Sequence, residues 1–71
     1  MPPTVMRPDT LSKDDRRLLA LLAQGLPLES VARQLEISER TLRRRVRAVC
    51  AQLHVPTAIA AVAWAAKRGL L

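Results

Sequence analysis

The stretch VARQLEISERTL, residues 31–42, decides the fold. With the leucine three positions before it, its apolar side chains fall at i, i+3, i+4 and i+7, one face of a helix: Leu28, Val31, Ala32 and Leu35. Ser38 followed by Glu39 has the composition of a helix N-terminus, since a serine hydroxyl caps the first turn and an acid complements the helix dipole. The stretch therefore predicts a short helix over 28–35, a three-residue link over 36–38 and the start of a longer helix.

The longer helix, predicted over 38–53, carries a row of arginines. Five of the twelve basic residues of the chain lie within residues 40–47, with no acid among them. At about 100° per residue, four of them form one stripe: Arg40, Arg43, Arg44 and Arg47. The apolar residues of the same helix share another face, which we expect in the core: Leu42, Val46, Val49 and Leu53. The stripe is therefore predicted to point away from the core.

This arginine stripe favours a nucleic-acid partner over a merely solvated surface. Like charges at these spacings destabilise an isolated helix by about 0.2–0.5 kcal/mol per pair. A solvated face would alternate arginine with glutamate, and no acid follows Glu39 in this helix. Guanidinium groups bind phosphate and guanine through paired hydrogen bonds, and the major groove of duplex DNA admits one helix. A short helix, a tight link and a capped basic helix form the helix-turn-helix plan, whose second helix enters that groove.

Two more helices flank this pair in the sequence. Apolar spacing predicts a first helix over 13–24 and a fourth over 58–68, each after a Ser or Thr suited to capping. A sheet is disfavoured, because the chain has one aromatic residue and few β-branched runs. We therefore predict an all-α four-helix bundle with a central helix-turn-helix over 11–71, preceded by a flexible Pro-containing leader over 1–10.

Composition excludes several classes of function. The 71-residue chain has a net charge of +6, which favours a polyanionic partner. Cys50 and His54 are the only residues of their types, so neither a disulfide nor a metal site is expected, and no cofactor is predicted. The acids cluster at helix starts and no catalytic set is visible, so we predict that the chain is not an enzyme. The absence of an apolar stretch of about 20 residues and of a signal-peptide pattern predicts no membrane span and a cytoplasmic protein, nucleoid-associated when bound to DNA.

The residues from 11 to 71 resemble the LuxR-type (GerE-like) DNA-binding domain of bacterial transcription regulators. The resemblance rests on the leucine-rich first helix ending AQGL, the stretch VARQLEISERTL, the tripeptide LHV over 53–55, AVAWA over 61–65 and the final RGL over 68–70. It implies a four-helix fold with the helix-turn-helix at its centre. It also implies sequence-specific binding to duplex DNA.

The predicted DNA-binding residues come from the second and third helices: Arg33, Ser38, Arg40, Thr41, Arg43, Arg44, Arg45 and Arg47. The resemblance implies base or groove contacts for Arg43, Arg44 and Arg47. It implies contacts to the DNA backbone for Thr41 and Arg45, and flanking phosphate contacts for the other three. Three features depart from the family pattern. Arg17 reverses a charge, Pro27 replaces a capping Ser or Thr, and residues 43–45 are more basic than usual.

The fourth helix predicts a homodimer. It is apolar on more than one side, and a small core cannot use all of that surface. The fourth helix also commonly forms the dimer contact in the resembled family. The predicted contact residues are Ala58, Ile59, Val62, Ala65 and Ala66. Trp64 suits either the core or this contact, and core packing with a partly exposed edge is the favoured interpretation.

Three alternative functions fit parts of the sequence. Region four of an extracytoplasmic sigma factor has the same helix-turn-helix pattern, but it accompanies a polymerase-binding region not seen here. A protein-interaction module could dock on RNA polymerase or a partner regulator through the apolar last helix. A basic amphipathic membrane binder fits poorly, because folding buries the aliphatic faces better. The sequence also leaves open a stand-alone regulator or the DNA-binding end of a longer one, and the Pro-rich start slightly favours the former.

Overall fold

A computed structural model describes residues 11–71, and the predicted leader over 1–10 lies outside the described residues. The described chain holds four α-helices and no strand, which confirms the all-α prediction. Each helix begins and ends within one residue of its predicted bounds. The helices are α1 (Lys13–Ala23), α2 (Leu28–Leu35), α3 (Glu39–Leu53) and α4 (Ala58–Lys67).

Three of the four helices begin with a side-chain cap. The hydroxyl of Ser12 accepts a hydrogen bond from the backbone N–H of Asp15, and the hydroxyl of Thr57 accepts one from Ala60. Ser38 caps α3 in the same way. Helix α2 differs because Pro27 supplies no capping oxygen and instead sets extended backbone geometry, with φ −60° and ψ 150°. The sequence therefore specifies all four helix starts, three by hydrogen bonding and one by ring geometry.

Three helices end in the same type of turn. After α2, α3 and α4 the chain passes through one residue with positive φ, at Glu36 (59°), His54 (58°) and Gly69 (70°). In each turn the next residue donates its backbone N–H to a carbonyl five positions back, as Ile37 does to Ala32. In this Schellman pattern, the apolar side chain of the residue after the turn packs against the helix that has just ended. Glycine occupies only one of these three positions, so the apolar residue that follows defines the turn.

The core is aliphatic and lies between all four helices. The largest fully buried side chains come from α1, α2 and α3: Leu18, Leu19, Val31, Leu42 and Val49. Helix α4 contributes only the small residues Ala61 and Ala65, and it packs against α1 and α3. Of the predicted core face of α3, Val46 is half-buried and the rest is buried. No polar residue is buried within residues 11–71, so hydrophobic contact holds the interior of the bundle together.

None of the four helices is both long and apolar enough to cross a membrane alone. Helices α3 and α4 reach the length and composition of a span only as a pair, and the chain bends by 54° between them.

The core contact of α3 gives a first prediction. Leu42→Ala should lower the free energy of unfolding by about 2–5 kcal/mol, because the side chain is fully buried and its loss leaves a cavity. Thermal or urea unfolding measures this change. The same truncation at the exposed Leu71 is the matched control and should change stability by less than about 0.5 kcal/mol. Equal effects of the two substitutions would contradict the assigned core.

Candidate nucleic-acid interface

The start of α3 is fixed by a compact hydrogen-bonded cap. The Ser38 hydroxyl oxygen accepts from the backbone N–H of Thr41 at 3.1 Å. The same hydroxyl donates to the Thr41 side-chain oxygen at 3.0 Å. Ser38 is exposed and Thr41 half-exposed, so the first turn of α3 opens to solvent. The positive end of the helix dipole is therefore available to an anion, with Thr41, a predicted DNA-backbone contact, and Ser38, a predicted phosphate contact, beside it.

The predicted arginine stripe is exposed along the first half of α3. Arg40, Arg43, Arg44 and Arg47 all lie on the surface of the described chain. Because Leu42, Val49 and Leu53 are buried, the stripe points away from the core, as the periodicity predicted. The four guanidinium groups thus form one broad cationic surface whose backbone is held rigidly by the core.

An acid at the helix start partly neutralises this surface. Glu39 Oε1 lies 3.4 Å from a terminal nitrogen of Arg43, one helical turn away. The Arg43 and Glu39 side chains are 59% and 43% exposed, so solvent screens the pair and its contribution to stability is small. The contact orients the Arg43 side chain toward the N-terminus of α3.

Arg33 lies on the preceding helix. It is exposed, and its guanidinium lies 3.4 Å from Glu29 on the same helix. The structure therefore leaves Arg33 accessible at the side of the helix-turn-helix, where a flanking phosphate contact was predicted.

Arg45, one of the predicted DNA-binding residues, lies apart from the stripe. It is five residues from Arg40, so it lies about 140° around the helix from it, next to α1. A terminal nitrogen of Arg45 is 3.6 Å from Oδ1 of Asp15, and the two side chains are only 30% and 20% exposed. Asp15 lies in the first turn of α1, where an acid complements the helix dipole. The structure gives this pair an additional role, joining α1 to the arginine helix.

A second contact between elements was also missed in the sequence. A terminal nitrogen of Arg17 donates to the backbone carbonyl of Gln34 at 3.3 Å, which ties α1 to the end of α2. The charge reversal at position 17 thus has a structural use. No local signal identifies it, since the acceptor is a backbone oxygen 17 residues away.

The predicted dimer residues divide between the surface and the core. Ile59 is 82% exposed, Ala66 is exposed, and Ala58 and Val62 are half-buried. Ala65 is fully buried against the other helices, so its prediction as a dimer contact is wrong. The small Ala side chain lets α4 pack closely there, and this packing uses the face on which Ala65 lies.

The end of α4 carries the single tryptophan. Trp64 is half-buried and packs against the core, as predicted. The Arg68 guanidinium lies over its ring, 4.1 Å from the ring centroid, and donates to the Trp64 carbonyl. This cation–π contact covers the outer face of the ring and fixes the end of α4.

Cys50 and His54 are the other reactive side chains of the described residues that the sequence analysis singled out. Burial raises the pKa of the Cys50 thiol above its ordinary value, which lowers the thiolate fraction at neutral pH. His54 occupies the left-handed turn at the end of α3. No group of three metal-ligating side chains occurs among residues 11–71. The polar residues that the structure gathers together are thus the cations of the helix-turn-helix.

Comparison with known proteins agrees with this geometry. The sequence pattern of the GerE family, described as bacterial regulatory proteins of the luxR family, matches residues 9–65. The chain belongs to this family. It is a DNA-binding domain of the LuxR-type transcription regulators, which confirms the family predicted from the sequence.

Two curated relatives of this LuxR-type domain carry the same name in different strains. Both are nitrate/nitrite response regulator proteins NarL, from Escherichia coli K12 and from Escherichia coli O6:H1 strain CFT073. Each is 33% identical to the chain over 54 residues, covering 76% of the chain and 25% of the relative. The chain thus spans a quarter of the length of these relatives. The comparison with solved structures found no significant match to the chain.

The contact between Asp15 and Arg45 gives a second prediction. A double-mutant cycle with Asp15→Asn and Arg45→Gln should give a coupling energy of about 0.2–1 kcal/mol in unfolding measurements, because the pair is only partly exposed. Arg45→Gln should weaken DNA binding no more than the charge-matched Lys67→Gln at the exposed end of α4. Zero coupling together with a larger loss of DNA binding would instead place Arg45 on the DNA.

Proposed function

We propose that the LuxR-type domain binds duplex DNA sequence-specifically by placing α3 in the major groove. The observation that carries the proposal is the exposed arginine stripe on a helix whose opposite face is buried in the core. A helix held in this way presents its guanidinium groups with little freedom of the backbone. Their side chains can then form paired hydrogen bonds with guanine edges and with phosphates.

The arginines differ in their proposed roles. Arg43, Arg44 and Arg47 lie along the exposed face of α3 and are the proposed base-reading and groove-facing residues. Arg40, at the start of the stripe, and Arg33, on α2, are proposed to contact flanking phosphates. These assignments are the roles that the resemblance to the LuxR-type family implies for these positions.

The first turn of α3 supports a further phosphate contact. Ser38 and Thr41 have hydroxyl groups at the N-terminus of the helix, where unpaired backbone N–H groups and the dipole favour an anion. Arg45 is left out of the proposed interface, because it already faces Asp15.

A homodimer is proposed to form through the exposed face of α4. Ile59 is 82% exposed, the most exposed large aliphatic side chain of the described chain, and half-buried Val62 lies one turn away. A two-fold pair of domains would read two related half-sites. Because its proposed ligand is bacterial chromosomal DNA, the domain is proposed to act in the cytoplasm.

The same exposed aliphatic face supports a second candidate function. Ile59 and its neighbours on α4 also suit docking on RNA polymerase or on a partner regulator, with the arginines as a solvated surface. The two functions respond differently to salt. DNA binding weakens steeply as salt rises, because counterions are released from the phosphates, whereas apolar docking changes little.

The third prediction tests the arginine stripe. Alanine at Arg43, Arg44 or Arg47 should weaken binding to a duplex selected from random sequence by about 1–3 kcal/mol where the side chain reads a base. Arg33→Ala should weaken binding evenly across sequences and reduce the slope of log affinity against log salt by about 0.9. Fluorescence anisotropy over a salt series measures both quantities.

The matched control for these variants is Lys67→Gln. It removes one positive charge from an exposed site at the end of α4, away from the stripe. Affinity and sequence preference should stay close to those of the parent chain. If the triple alanine variant of the stripe bound DNA as tightly as Lys67→Gln, the proposed role of α3 would be refuted.

The fourth prediction concerns the α4 surface. Ile59→Asp should shift the sedimentation equilibrium toward monomer, because a carboxylate would have to be buried in an apolar contact. Binding to a single half-site should remain, while the advantage of a two-site duplex is lost. Lys67→Gln, with the same change of net charge, should keep the parent behaviour. A monomeric parent chain, both free and on a two-site duplex, would rule out the proposed dimer.

A further inference from the structure

An apolar groove borders the arginine stripe, and the proposed DNA contact uses only the two arginines on its rim, Arg43 and Arg47. It lies where the ends of α1, α2 and α4 meet the middle of α3, and its volume is about 280 Å³. The floor is formed by one aliphatic side chain from each helix, and the rim by two arginines of α3: Leu22, Leu28, Val46, Ala58, Arg43 and Arg47. The groove exists because these floor side chains cover the core only partly, each being half-buried.

The arrangement of this groove selects an amphipathic anion. Its floor offers no hydrogen-bonding side chain, so the body of a ligand must be apolar. The two guanidinium groups on the rim are one helical turn apart and can hold a carboxylate together. Within the described chain, Arg47 has no carboxylate within 4.0 Å, whereas Arg43 is shared with Glu39. At least one rim arginine is therefore free to pair with a ligand.

The size of the groove favours a small molecule over a macromolecule. A volume of about 280 Å³ is at the lower limit of pockets that hold small ligands. The positive balance of the chain, with twelve basic and six acidic residues, attracts an anion.

We propose that this groove binds an aliphatic carboxylate of medium chain length, and that the bound carboxylate competes with DNA for Arg43 and Arg47. The aliphatic chain would lie on Leu22, Leu28 and Val46, and the carboxylate would accept hydrogen bonds from the two guanidinium groups. The binding site stands independently of the proposed function, but the competition rests on it. Ligand and DNA exclude one another because both need the same two side chains.

Octanoate is the probe for the fifth prediction. Titration of the isotopically labelled chain below micellar concentrations should shift the NMR signals of the groove residues more than those of α4 beyond Val62. Octanoate should bind roughly tenfold more tightly than 1-octanol, which lacks the charge, and acetate, which lacks the chain, should not bind measurably. Equal affinities of octanoate and octanol, or no shifts at the groove, would overturn the proposal.

Substitutions in α3 test whether the two rim arginines bind the carboxylate. The pair Arg43→Gln and Arg47→Gln should reduce octanoate affinity roughly tenfold, and Arg40→Gln, at the far side of the stripe, should not. Glu39→Gln should raise the affinity, since it removes the internal competitor for Arg43. A change that followed total charge, with all three arginine positions equivalent, would contradict a specific site. Because Glu39→Gln predicts a gain, loss of folding cannot imitate it.

Competition with DNA is measured on the same sample. Octanoate should raise the apparent dissociation constant for the selected duplex in proportion to its occupancy of the groove, and octanol should not. Octanoate that binds the groove without affecting DNA refutes the competition. A chain that fails to bind DNA refutes the proposed function and leaves the NMR result intact. Groove signals that shift on dilution of the protein, without octanoate binding, would show instead that a second copy covers the groove.

Discussion

The burial of one aliphatic face of α3 is the constraint on which the rest of the structure depends. Leu42, Val49 and Leu53 hold this helix against the other three, and every buried residue of the described core is apolar. Once the face is fixed, helical geometry decides which side chains meet solvent. The arginine stripe is therefore a consequence of core packing, because rotation of α3 would have to expose leucine and bury guanidinium groups.

Charge is arranged around this constraint in two different ways. On the open side of α3 the arginines outnumber the acids, which leaves a surface suited to a polyanion. On the side facing α1, Arg45 meets Asp15 within the protein and joins the two helices. Arg43 and Arg45, two positions apart, therefore differ: Arg43 lies on the open side of α3, whereas Arg45 pairs with Asp15 of α1. The difference between them comes from the neighbouring helix and not from their residue type.

Much of this organisation could be predicted from the sequence. The apolar spacing gave the four helices nearly to the residue, and the stripe followed from the same periodicity because both are properties of a single helix. The contacts of Arg17 and Arg45 could not be predicted in this way, since each partner lies on another helix. The prediction of Ala65 as a dimer contact was wrong for a related reason. A helix apolar on several sides does not reveal which alanines pack inward until its neighbours are in place.

The turns that end α2 and α3 have a consequence for engineering the domain. Glu36 and His54 adopt the left-handed backbone that costs residues with a side chain about 1 kcal/mol or more relative to glycine. The apolar residues that follow them, Ile37 and Val55, keep the turns closed despite this cost. Both positions are exposed and outside the arginine stripe. Substitutions at Glu36 and His54 can therefore change the thermal stability of the domain without altering the arginine stripe.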